Sequence, residues 1–279
     1  MEQAALLFQT VLYRPYVFLF LGISLYSSSR LLGGKRTSAL FGITWITALI
    51  CEFSSTRIGF PFGDYYYTGS TANQELYLSN IPFMDSLSFT FLLFASYCLA
   101  LVFTLPPSSP TPFAGWSFQP HERVSWPVVL LTTVFFTYID IVIDPVALRG
   151  DRWFLGQIYG YPDPGVYFGI PIANFLGWAF VGCLSLTTYG LMDRCYWKAS
   201  PPPKSTVRGN LLIGVGLYYG VLAFNLAVTF VIGEWLIGIV GCLLYIPVSI
   251  LFVLKLMGYL PIMPKAVSEV RRSRSTLSL

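Results

Sequence analysis

The stretch VVLLTTVFFTYIDIVIDP, Val128 to Pro145, is apolar along most of its length and then places two carboxyls, Asp140 and Asp144, near its end. A run of this length and apolarity suits a helix across a hydrocarbon core roughly 30 Å thick. Upstream, SALFGITWITALIC (38–51) leads into Glu52 in the same manner. With 55% hydrophobic and 11% charged residues over 279 positions, and several further apolar runs, the chain reads as an all-α polytopic transmembrane helical bundle of about seven spans. They are expected near Leu6–Tyr26, Ser38–Ser55, Asp85–Leu105, Arg123–Ile143, Val166–Leu191, Asn210–Val231 and Glu234–Met257. Arg14 interrupts the first, whose start could instead fall after that residue. The N-terminus carries no cleavable signal pattern.

Orientation follows from lysine and arginine. If the spans alternate, all but four of the 17 basic residues fall on one side, the exceptions being Arg14, Arg57, Arg149 and Arg152. The positive-inside rule makes the basic side cytoplasmic, together with the C-terminus, and places the carboxylate-rich loops on the other face of what is expected to be the cell membrane. One integral membrane domain is expected over residues 1–264. The basic tail over 265–279 is expected to be disordered and drawn to anionic lipid. The proline-rich stretches PPSSPTPFAGWSFQPHE and KASPPPKSTVRGN read as stiff connections on the basic side.

Histidine and cysteine exclude several chemistries. His121 is the only histidine, and the five cysteines are scattered without a CxxC spacing. A histidine-box oxygenase, a bis-histidine haem protein and a zinc hydrolase of HExxH type all lack their ligands, and no metal or other cofactor is expected. Nothing points to nucleic acid.

Carboxyls at membrane depth are costly, so function is their first reading. Asp140 and Asp144, four residues apart, share one helical face. Two close carboxyls in a low-dielectric site do not both ionise readily, leaving one protonated acid beside one carboxylate, an acid/base pair. The plainer alternative is that Asp144 opens a turn with Pro145. Glu52 has its own plain alternative in a salt bridge to Arg57 or Arg149. Asp64, between Gly63 and Tyr65, reads equally as turn chemistry. Asn174 is a buried amide that needs partners, for which a helix-to-helix hydrogen bond would suffice.

Tyrosine and tryptophan gather at membrane interfaces in general, but here they concentrate on the two loops that follow the acids, GFPFGDYYYTG and RGDRWFLGQIYGYPDPGVYFGIP. Their ring faces could hold an apolar polyene and stabilise a cation. The acids and the aromatic walls are expected to meet at one membrane face.

The ordered run CEFSSTRIGFPFGDYYYTG, DIVIDPVALRGDRWFLG and GVYFGIPIANFLGW resembles the membrane carotenoid-biosynthesis family that includes gamma-carotene 1'-hydratase and bisanhydrobacterioruberin hydratase. The resemblance spans roughly residues 45–190 as a series of motifs. It implies addition of water across the terminal C1=C2 double bond of an acyclic carotenoid end group, a hydro-lyase reaction giving a tertiary alcohol. Partners would then be a lipophilic carotenoid, water, membrane lipid and other carotenoid-pathway enzymes. One departure stands out: IPFMDSLSF puts Asp85 and Ser86 where a tryptophan is expected after the loop proline. The candidate catalytic residues are Glu52, Asp140, Asp144 and Asp64. The candidate substrate-binding residues are Phe62, Tyr65, Tyr66, Trp153, Tyr167, Asn174 and Trp178. The same protonation could instead drive cyclisation. The DxxxD spacing of Asp140 and Asp144, with Arg149 and Arg152 for phosphate, leaves a UbiA-like prenyltransferase as an alternative. Intramembrane acids leave a proton-coupled transporter or retinal-type protein as another, although Lys255 sits near the cytoplasmic end of its span.

Overall fold

The computed structural model describes residues 2–106, 113, 115–116, 122–197 and 204–260. His121 and the tail over 265–279 lie outside the described residues. The chain forms helices α1 (Glu2–Tyr13), α2 (Pro15–Leu32), α3 (Gly34–Ile58), α4 (Phe83–Thr104), α5 (Trp126–Ala147), α6 (Ile172–Tyr196), α7 (Lys204–Val231) and α8 (Trp235–Leu256). From α3 to α8, six helices are long and apolar enough to cross a membrane, and a seventh span is reached when the bent pair α1–α2 is counted as one. The expected all-α polytopic bundle is what the chain forms.

The central helix is α4, which packs on α2, α3, α5, α7 and α8; 78% of its most apolar window is buried. At the periphery, α8 has only 22% of its window buried and turns Leu236, Leu243 and Ile250 outward, as a lipid-facing helix does. Lipid tails are as apolar as leucine, so helix association here rests on close packing and interhelical hydrogen bonds rather than on water exclusion. Both are present. A Cβ at Gly214 would sit 2.2 Å from the Cys98 sulfur, so glycine permits the α4–α7 approach. Ser27 Oγ donates to the Asn210 carbonyl at 2.6 Å, and Tyr138 OH to that of Leu244 at 2.7 Å, each worth about 0.6–2 kcal/mol in a membrane.

The first span is not one straight helix over Leu6–Tyr26 but is broken at Arg14, with α2 running on to Leu32. The chain turns by 89° between α1 and α2, because Pro15 disfavours a helical Arg14 and because Arg14 is fully buried among polar partners. Its guanidinium donates to Glu75 Oε1 and Oε2 at 2.9 and 3.2 Å and to the Leu155 carbonyl at 2.7 Å. The fifth span begins at Ile172 rather than Val166, since Gly165 pairs with Gly169 and Tyr167 with Ile170 as isolated bridges ahead of Pro171. The fourth runs beyond Ile143 to Ala147, carrying Pro145 inside the helix. Asp144 therefore does not open a turn.

Two short antiparallel pairs order the loops at one end of the bundle. Strand β1 (Tyr66–Tyr67), from the α3–α4 loop, pairs with β4 (Tyr159–Gly160), from the α5–α6 loop, in the register Tyr66 to Gly160 and Tyr67 to Tyr159. Within the first loop, β2 (Tyr77–Leu78) pairs with β3 (Ile81–Pro82).

Candidate active site

Four acids reach this end from three helices. Glu52 lies in the last two turns of α3, Asp85 in the first turn of α4, and Asp140 and Asp144 near the end of α5. Helix α3 stops at Gly59, which adopts φ +71° and hydrogen-bonds back to Ser55, the left-handed cap that glycine accepts without strain. The chain then turns inward: the Phe62 amide donates to Ser55 Oγ at 3.0 Å, and Phe62 is driven against Gly177 of α6, where an added Cβ would come within 2.3 Å of its ring. The β1–β4 pair, with the Thr68 amide donating to the Ile158 carbonyl at 2.9 Å, fixes the two aromatic loops over the acids.

One acid group centres on Tyr67. Its hydroxyl lies 2.9 Å from Glu52 Oε1 and 2.7 Å from Asp85 Oδ2. A phenol has one proton to donate. Both contacts are hydrogen bonds only if one of the two carboxyls is itself protonated and donates to the phenol oxygen. Burial, then the neighbouring Asp85 and Glu52, holds the Tyr67 phenol well above its ordinary value, so it stays protonated. Glu52 Oε2 is buried and unpartnered.

The other group centres on Asn174, in the first turn of α6. Its amide nitrogen donates to Asp140 Oδ2 at 3.0 Å and also to Asp144 Oδ2. Tyr159 OH approaches Asp144 Oδ1 at 3.2 Å; burial, then Asp144 and neighbouring groups, holds that phenol well above its usual range. Asp140 Oδ1 is buried and unpartnered. Asn174 does make a helix-to-helix bond, and its partners are the two candidate acids.

Both groups border one cavity of about 140 Å³, lined by Glu52, Tyr67, Asp85, Asp144, Tyr159 and Asn174 on its polar side. Its apolar wall includes Phe62, Tyr65, Phe89, Trp153, Trp178 and Phe224. Trp178 stacks on Phe89 at 4.2 Å between ring centroids, 14° from parallel, and Trp153 Nε1 donates to the Val146 carbonyl at 3.0 Å. These bonds and stacks hold the wall in place. The volume matches that of cavities that admit a benzene-sized molecule, and so suits one branched hydrocarbon end rather than a whole polyene.

Of the residues singled out from sequence, Glu52, Asp144, Phe62, Tyr65, Trp153, Asn174 and Trp178 line this cavity, and Asp140 stands directly behind Asp144 on the same amide. Three stand apart. Asp64 is exposed and packs its Oδ1 over Gly59, Tyr66 is exposed beside Gly160, and Tyr167 packs on Phe168 and Phe175. Asp85, Tyr67 and Tyr159 were not among the site candidates. The departure at IPFMDSLSF signalled the first, since an aspartate at the mouth of a span is expensive.

The arginines near this end are engaged elsewhere. Arg57 donates to the Phe53 carbonyl and to Ser79 Oγ, and Arg149 and Arg152 both pair with Glu234. Glu52 thus forms neither of the salt bridges considered for it, and the two arginines that a diphosphate would need share the Glu234 carboxylate and donate otherwise to backbone carbonyls. Among the described residues no ion pair reaches Glu52, Asp85, Asp140 or Asp144.

Residues 4–248 match the family described as carotenoid biosynthesis protein. The chain belongs to that family. No curated protein and no solved structure matches it. Membership gives this carotenoid biosynthesis protein a role in making carotenoids. The matched residues include every side chain of the cavity.

Proposed function

We propose that the protein hydrates the terminal C1=C2 double bond of an acyclic carotenoid end group. The observation that supports this most is one aromatic-walled cavity bordered by two clusters of carboxyl side chains that, among the described residues, form no ion pair. An alkene is a poor base, so its protonation calls for a carboxylic acid kept neutral in a dry site. The Asp140–Asp144 pair supplies that acid: Asp144 faces the cavity and delivers its proton to C2, and Asp140 shares the remaining charge across Asn174. The resulting tertiary cation at C1 lies among the rings of Phe62, Tyr65 and Trp178, whose faces stabilise positive charge. Glu52 orients the water that adds to C1 and accepts the proton it releases. Alkene and water are thereby converted to a tertiary alcohol, with one proton given up at one wall and one taken up at the other.

In this reading the acid end of the bundle faces away from the cytoplasm. Cysteines placed at the exposed positions Ser70 and Gln157 should then react with an impermeant reagent added outside intact cells, and labelling from the cytoplasmic side alone would reverse the orientation. The reaction itself is tested by expressing the full chain in cells that accumulate an acyclic carotenoid and weighing the pigments. A gain of one water per reacting end supports hydration. An isomer of unchanged mass would assign cyclisation instead.

A further inference from the structure

Hydration leaves a proton on Glu52 and takes one from Asp144, so before the next turnover Glu52 must lose a proton and Asp144 must regain one from water. The geometry around Tyr67 offers a way out. The phenol touches both Glu52 and Asp85 through its single oxygen, so it can accept a proton from one while giving its own to the other. Tyr67 also lines a second, wider depression of about 510 Å³ at the same end of the bundle, and among the described residues it is the one side chain common to both cavities. The second depression is rimmed by the exposed polar residues Gln3, Asn73 and Ser79 and reaches Glu75, which is held by Arg14. Tyr67 is thus the wall between this polar depression and the Glu52 and Asp85 carboxyls of the inner cavity.

Resting on the hydratase reading, we infer that Tyr67 and Asp85 form the proton exit of the site. Glu52 takes a proton from the water that adds to C1. It then passes that proton to the phenol oxygen as the phenol's own proton moves to Asp85, so that no phenolate forms and Glu52 is emptied. Asp85 borders only the inner cavity, so the proton leaves through the phenol: Asp85 returns it to the phenol oxygen as the phenol's proton passes to water in the outer depression that Tyr67 lines. Tyr67 and Asp85 are positioning and relay residues, while Glu52 remains the group that meets the reacting water.

The test reads the couple with and without turnover. In membranes holding the full chain, infrared spectroscopy of the wild type should show a protonated carboxyl stretch that is altered in Glu52→Gln and Asp85→Asn and that shifts rapidly on transfer to D2O. Tyr67→Phe keeps the ring wall and removes the relay; its carboxyl exchange in D2O and its steady-state hydration should each slow by about tenfold or more, relay steps being a form of general acid–base catalysis. Asp85→Asn retains the phenol and its contact with Glu52, and should slow steady-state hydration to a similar degree with KM little changed. If the wild type hydrates and Tyr67→Phe and Asp85→Asn hydrate at its rate, the exit is wrong and the hydratase reading stands. If the wild type yields no hydrated pigment, the reaction is wrong, and unaltered carboxyl exchange in Tyr67→Phe would overturn the exit separately.

Discussion

The cavity and the opposite, basic end of the bundle treat buried carboxyls in opposite ways. At the basic end Asp193 is clamped between Arg36 and Arg123, with the Arg123 contact at 3.6 Å, and a carboxylate so placed is neutralised and held. Around the cavity Glu52, Asp85, Asp140 and Asp144 bond, among the described residues, to two tyrosines, Tyr67 and Tyr159, and to the Asn174 amide. Arginines are at hand there, yet they are spent on Glu234, on Glu75 and on backbone carbonyls. A buried acid with a cation beside it serves the fold. Acids left without one around a cavity are, in the proposed reading, the groups that give and take the protons of the reaction.

Removing the ionisable group is the strongest way to break this contrast. Asp144→Asn preserves size and hydrogen bonding but cannot deliver a proton, so hydration should fall by about 10² to 10⁴ with the protein still membrane-inserted. Asp140→Asn and Glu52→Gln should each lose at least about a hundredfold, for the same reason. Near-normal pigment hydration in Asp140→Asn and Glu52→Gln together would make these acids structural.

Asp193→Asn should do the reverse. It leaves two arginines facing a neutral amide, and breaking a buried pair typically costs about 3–5 kcal/mol. Unfolding in detergent should therefore begin at lower temperature, while hydration per folded molecule is retained. Loss of turnover at unchanged stability would erase the distinction between the two ends.

Asp64→Asn should have the smallest effect. Asp64 is exposed and packs on the cap of α3 rather than facing the cavity, so turnover should change by no more than a few fold and stability by about 0.5 kcal/mol, as for most surface changes. A hundredfold loss at Asp64 would draw the site boundary differently.

Much of this was legible in the sequence. Long apolar runs marked α3 to α8, and the i, i+4 spacing of Asp140 and Asp144 placed both on the face that Asn174 meets. What escaped depended on contacts remote in sequence. The 89° turn at Arg14 is set by Glu75 and the Leu155 carbonyl, neither near it along the chain. The aromatic loops offered Tyr65, Tyr66 and Tyr67 in a row. Alternation along a strand decides which of them points inward, and that strand exists only through its pairing with Tyr159–Gly160. The sequence alone does not separate Tyr66 from Tyr67, and it is Tyr67 that makes the contacts. Asp85 stood out as a departure, but only folding brings it to within 2.7 Å of the Tyr67 hydroxyl.

The central claim is that a carboxylic acid protonates the end group and that water captures the cation. Membranes containing the protein, supplied with an acyclic carotenoid in D2O, test it directly. The account predicts an alcohol carrying one non-exchangeable deuterium at C2 for each reacting end, formed without added metal, oxygen or reductant and lost in Asp144→Asn. An alcohol with no deuterium on carbon, or one formed only when oxygen and a reductant are supplied, would contradict it.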